Sequence, residues 1–64
     1  MTEQFKRELR ETLIPSLKRM VKKETAHLAM LHRRKADPAM IAESEKWLRF
    51  YIQRLVEYQQ AADL

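Results

Sequence analysis

The sequence predicts an all-α protein folded as an antiparallel helical hairpin. Apolar residues recur at helical spacing through most of the 64 residues. The chain contains no glycine and no asparagine, on which tight β-hairpin turns depend. Residues 35–38 carry a helix stop followed at once by a strong helix start, and they divide the chain into two amphipathic parts.

The first helix is expected at residues 2–34. Its apolar residues can all be placed on one side at about 100° per residue, with Ile14 at the edge of the stripe. The members of this stripe are Phe5, Leu9, Leu13, Leu17, Met20, Val21, Leu28 and Leu31.

Pro15 interrupts this first helix. It lacks the N–H that would bond to the carbonyl of Glu11, and its ring crowds that carbonyl. However, Leu9, Leu13 and Leu17 keep a step of four across the proline. We therefore expect one long helix kinked near Pro15, and a break into two separate helices is the alternative.

The turn is expected at residues 35–37 and the second helix at 38–62. Asp37 is a good N-cap, because its carboxylate accepts hydrogen bonds from the first turn. Pro38 suits the first helical position, where its missing N–H costs nothing. The stripe of the second helix resembles the a/d seam of a coiled coil. Its members are Ile41, Ser44, Leu48, Tyr51, Ile52, Leu55 and Ala62.

Two helices alone cannot enclose both stripes, because each covers only one side of the other. We therefore expect a homodimer that forms a four-helix bundle. About ten N-terminal residues are expected to overhang the hairpin or to contact the second subunit, because the first helix is longer by roughly a third. An additional flank beside the main stripe of the second helix favours such an interface. It consists of Trp47, Phe50, Arg54, Tyr58 and Ala61.

Composition excludes several classes of site. The absence of cysteine excludes disulfides and cysteine-ligated zinc, and it fits a reducing compartment. The absence of glycine excludes phosphate-cradling loops. There is no run of about 18 apolar residues to span a membrane, and we expect no signal peptide because the N-terminal residues are highly charged. We expect a single cytoplasmic domain over residues 1–64, with no cofactor, no metal and no small-molecule substrate.

Positive charge is concentrated in one part of the chain. Of the 13 Lys and Arg residues, seven lie between Lys18 and Lys35, where Glu24 is the single acid. A clustered positive face is typical of binding to phosphates or to an acidic protein surface, although a solvated helix face has the same composition. We call six of these residues the basic ridge: Lys18, Arg19, Lys22, Lys23, Arg33 and Arg34.

Glu24 and His27 are polar residues on the apolar side of the first helix. An acid and an imidazole three residues apart can exchange a proton or bind a metal, but no nucleophile or third ligand accompanies them. The sequence therefore favours a pair that sets helix register, and it predicts no enzyme.

The function we expect is that of a small regulatory interaction protein. It would act as an adaptor, chaperone or inhibitor through helix-face contacts with a protein that has an acidic surface. The alternative is a nucleic-acid-binding bundle that uses the basic ridge. The candidate partner-binding residues are Trp47, Phe50, Arg54 and Tyr58.

Overall fold

The computed structural model describes residues 2–63, and within them it contains helices and no strand. The chain begins with α1 (Glu3–Glu8), a π-helical segment (Leu9–Leu13) and α2 (Ile14–Arg33), which follow one another without a gap. A turn then leads to α3 (Pro38–Asp63). The predicted all-α helical hairpin is confirmed, with helix ends within one or two residues of those expected.

The helical backbone continues past Pro15 through a π-helical segment. The N–H of Ile14 donates to the carbonyl of Leu9, five residues earlier, where an α-helix would use a residue four earlier. A π-helical turn contains one more residue than an α-helical turn. This turn includes Glu11, whose carbonyl the ring of Pro15 would crowd in a regular α-helix. The alternative of two separate helices is not what the structure adopts.

The π-helical segment changes which residues are buried. Leu9 has no exposed surface and Ile14 is buried, although the sequence placed Ile14 at the edge of the stripe. These two residues are five apart, which is the π-helical repeat and not the α-helical step of four. Phe5 and Met20 were expected in the stripe, but both are exposed.

We expected about ten N-terminal residues to overhang the hairpin or to contact a second subunit. The overhang is wrong where the chain enters the π-helical segment, because this segment packs against α3. Leu9 and Ile14 form a core cluster with Ala62, near the end of α3. Leu13, Leu55 and other half-buried residues contact this cluster. We call this part of the molecule the open end, because no turn joins the helices there.

The opposite end is closed by the turn. Lys35 has a positive φ of 51°, and the N–H of Ala36 donates to the carbonyl of Leu31 at 3.0 Å. The N–H of Lys35 donates to the carbonyl of His32 at 3.1 Å. These two bonds form a Schellman motif, in which the left-handed position is normally a glycine. We call this part the turn end.

Asp37 begins α3 as the sequence predicted. One of its carboxylate oxygens accepts from the N–H of Ala39 at 2.7 Å, and its carbonyl accepts from the N–H of Ile41. Pro38 is the first residue of the helix. The hairpin that results is long and thin, measuring 46 × 15 × 11 Å. It is one helix thick, so each helix leaves lateral surface uncovered.

Candidate protein-interaction surface

The aromatic residues of α3 form an exposed cluster. Trp47 and Phe50 are 45% and 44% exposed, which is high for large apolar side chains. Their rings meet edge to face, with centroids 5.9 Å apart and planes at 82°. Tyr51 lies behind them, half-buried, with its ring centroid 5.8 Å from that of Phe50. The three rings therefore contact one another along the exposed side of α3 in geometries that aromatic pairs favour.

Polar groups hold the edges of this cluster. The indole N–H of Trp47 donates to a carboxylate oxygen of Glu43 at 3.1 Å. The guanidinium of Arg54 lies over the Phe50 ring, 5.3 Å from its centroid, and donates to Glu57 at 3.3 Å. These contacts limit the rotamers of the exposed side chains, which lowers the entropy lost when a partner binds.

Tyr58 has a different place from the other candidate partner-binding residues. It is half-buried and contacts the core cluster of Leu9, Ile14 and Ala62. The structure therefore brings Trp47, Phe50 and Arg54 together as one exposed group, and it gives Tyr58 a partly structural position. We give the name aromatic flank to six residues of α3: Met40, Glu43, Trp47, Phe50, Arg54 and Tyr58.

An apolar groove of about 470 Å3 continues from the aromatic flank toward the turn end. Met40 is 56% exposed beside it. Residues of both α2 and α3 line the groove: Glu24, His27, Leu31, Ala39, Met40, Glu43, Ser44 and Trp47. Met40 and Glu43 were not predicted as members of the surface, although Met40 precedes Trp47 by seven residues and therefore lies on the same side of the helix.

Ser44 is buried next to this groove. It is 6% exposed, and its hydroxyl has no hydrogen-bond partner among the described residues. The sequence placed Ser44 in the stripe of the second helix, and the structure agrees. An unpartnered buried hydroxyl destabilises the fold, whereas the buried side chains of the core cluster at the open end are all apolar.

The basic ridge is exposed along its whole length. All six residues have exposed side chains, and within residues 2–63 no ion pair joins any of them to an acid. The guanidinium of Arg19 donates to the hydroxyl of Ser16 at 3.2 Å. Among the described residues the ridge cations therefore have no acidic partner of their own.

Glu24 and His27 form a loose pair on α2. The imidazole Nδ1 lies 3.8 Å from a Glu24 carboxylate oxygen, and both side chains are partly exposed. In the described part of the chain no three His, Cys, Asp or Glu side chains are grouped so as to hold a metal ion. The pair stands at the groove wall, where it adds polarity to an otherwise apolar lining.

The chain matches no protein-family model, no curated protein and no solved structure. Between residues 2 and 63 there is also no helix long and apolar enough to cross a membrane.

Proposed function

We propose that this chain is a small, non-enzymatic interaction protein that acts in the cytoplasm as an adaptor, chaperone or inhibitor. The observation that carries the proposal is the exposed aromatic cluster of Trp47, Phe50 and Arg54. Trp, Tyr and Arg dominate the binding energy of protein interfaces because they bury large areas and pair with polar groups. Here two aromatic rings and an arginine lie together on one side of α3, already oriented.

The basic ridge supports a partner protein that has an acidic surface. Unpaired exposed cations attract an acidic protein over about 8–10 Å, the Debye length at physiological salt. Such steering raises the association rate, while burial of Trp47 and Phe50 slows dissociation. Lys18, Arg19, Lys22 and Lys23 would contribute most, because they lie on consecutive turns of α2.

We also propose that the hairpin forms a homodimer in a four-helix bundle, with the first helix bent near Pro15. The thin shape supports this, since a layer one helix thick leaves both of its faces in water. Few side chains are fully buried, and Leu9 is the largest of them. Small chains of this kind gain the missing core by association.

The proposed function is tested by affinity capture, in which the full chain or a matched variant is the bait and the partner protein is recovered on it. Phe50→Asp should abolish capture of the partner protein. The charged aspartate cannot be buried in the apolar pocket of the partner that would hold the Phe50 ring. Val56→Asp is the control: Val56 is also on α3 and 45% exposed, but it lies outside the aromatic cluster. An equal loss of partner capture with both variants, or no loss with either variant, would contradict the proposal.

A second candidate function is nucleic-acid binding, which the unpaired cations of the basic ridge favour. Titration of a generic duplex at two salt concentrations separates the two functions. Micromolar binding with a steep salt dependence, lost in Lys22→Glu/Lys23→Glu, would make nucleic acid the primary partner, because phosphate contacts release counterions. Retention of protein capture by Lys22→Glu/Lys23→Glu at high salt would favour the adaptor.

A further inference from the structure

The aromatic flank of α3 has a self-complementary pattern of residues. We propose that a second copy of this chain occupies it, with α3 antiparallel to the partner's α3 and a two-fold axis between Leu48 and Arg49. The inference rests on the proposed function in two respects, the homodimer and the use of this flank as a contact surface. It adds the occupant of the flank and the register in which that occupant binds.

The surface area of the single chain supports a second copy. Its accessible surface is 5183 Å2, whereas a folded monomer of 7.7 kDa should expose about 4,300 Å2 from the scaling of area with mass. The difference is about 850 Å2 by that scaling, and each partner in a standard interface buries roughly 800 Å2. One copy seated on one face would therefore bring the exposed area to that of a compact domain.

The spacing of residues in the flank fixes the register. Trp47 and Phe50 are equally far from the midpoint of residues 48 and 49, and so are Glu43 and Arg54. In a symmetric antiparallel pair, two residues equally far from the axis on opposite sides meet at the same height. Trp47 is then level with the partner's Phe50, and Glu43 is level with the partner's Arg54.

The charges of the flank select the antiparallel direction. In a parallel two-fold pair each residue lies level with its own copy, which would place Glu43 against Glu43 and Arg54 against Arg54. The antiparallel pair joins opposite charges instead. Within one chain Glu43 accepts from Trp47 and Arg54 donates to Glu57. A guanidinium has five N–H donors, so Arg54 can also donate to the partner's Glu43.

The same register covers a highly exposed apolar side chain. Met40 is 56% exposed at the edge of the groove. It comes level, to within one residue, with the partner's Tyr58. The apolar contacts therefore extend from the centre of the flank to the groove near each turn end.

Self-association on this flank has a consequence for partner binding. A protein that anchors on Trp47 and Phe50 uses the surface that the second copy covers. The two complexes exclude each other, and the apparent affinity for the partner falls as the concentration of this chain rises.

The test is sedimentation equilibrium on the full chain and on two charge reversals. Wild type should be a dimer at micromolar concentration. Glu43→Arg and Arg54→Glu should each weaken the dimer by at least about tenfold, because each homodimer then holds two like-charge contacts. An equimolar mixture of the two variants should restore dimers, because each contact in the mixed dimer joins an Arg to a Glu.

A matched pair of reversals serves as control. Glu45 and Arg49 are partners within α3 at 3.5 Å, and Arg49 is highly exposed. Glu45→Arg and Arg49→Glu change charge on the same helix but outside the aromatic flank, so each should leave the dimer intact. Helicity measured by circular dichroism for every variant shows whether a loss of dimer is a loss of fold.

Each further outcome would overturn part of the inference. A wild-type monomer at all concentrations would refute self-association, while Phe50-dependent capture of another protein would still stand. A dimer insensitive to both flank reversals, or folded variants that fail to recover on mixing, would refute the register. If Val56→Asp dissociated the homodimer and Phe50→Asp did not, the dimer interface would lie on the other side of α3.

Discussion

The open end of the hairpin buries its apolar side chains more completely than the turn end does. At the open end Leu9 has no exposed surface and contacts Ile14 and Ala62. At the turn end Leu31 is buried, but Ser44 beside it has an unpartnered hydroxyl, and a groove opens between the helices.

The backbone conformation also differs between the two ends, and again the open end is the more favourable one. At the open end the π-helical segment places both Leu9 and Ile14 in the core, so an irregular turn improves the packing. At the turn end Lys35 takes a left-handed conformation that suits glycine better. The difference predicts that the core cluster of Leu9, Ile14 and Ala62 tolerates truncation least, while the turn end and the adjacent aromatic flank leave surface for contacts.

The largest expected effect is at the open end. Leu9→Ala should reduce the free energy of unfolding by about 2–5 kcal/mol, the usual range for a buried leucine. Urea denaturation followed by circular dichroism measures it. Phe5→Ala is the control one helical turn earlier, where the side chain is 43% exposed. A loss as large for Phe5→Ala as for Leu9→Ala would show that the burial of Leu9 does not decide the size of the effect.

A smaller effect of opposite sign is expected at the turn end. Ser44→Ala removes the unpartnered hydroxyl and should raise the free energy of unfolding by about 1–2 kcal/mol. Part of any gain comes from the better helix propensity of alanine. Ala42→Ser, at an exposed position of the same helix, measures that part alone. A gain for Ser44→Ala no larger than the loss for Ala42→Ser would show that the hydroxyl carries no penalty.

The smallest effect is expected in the turn itself. Lys35→Gly should stabilise the protein by about 1 kcal/mol, because glycine adopts a positive φ without strain. Thermal denaturation at fixed protein concentration detects the change. Lys35→Ala removes the same charge and keeps the strain, so it should give no gain. Equal stabilisation by both variants would assign the effect to charge.

Much of the fold was predictable from local signals. Asp37 and Pro38 start α3 where the sequence indicated, since an N-cap and a first-turn proline act within a few residues. The Schellman motif at Lys35 was not predicted, because it normally requires a glycine and this chain has none.

The candidate surface was predictable in part. Phe50 lies off the main stripe of α3, and its exposure follows from helical spacing alone. The groove beside Met40 was missed, because it depends on the distance between two helices and not on either sequence pattern. Tyr58 was assigned to the contact surface, whereas packing against the open end partly covers it.

By itself, the sequence determined the helical class, the position of the turn, the basic ridge and most of the apolar side of each helix. These features depend on residue type and spacing over one or two turns. Tertiary structure decided how the chain passes Pro15 and therefore that Ile14 is buried at the open end. The physical reason is that a π-helical turn is less favourable locally, and here it places Leu9 and Ile14 together against α3.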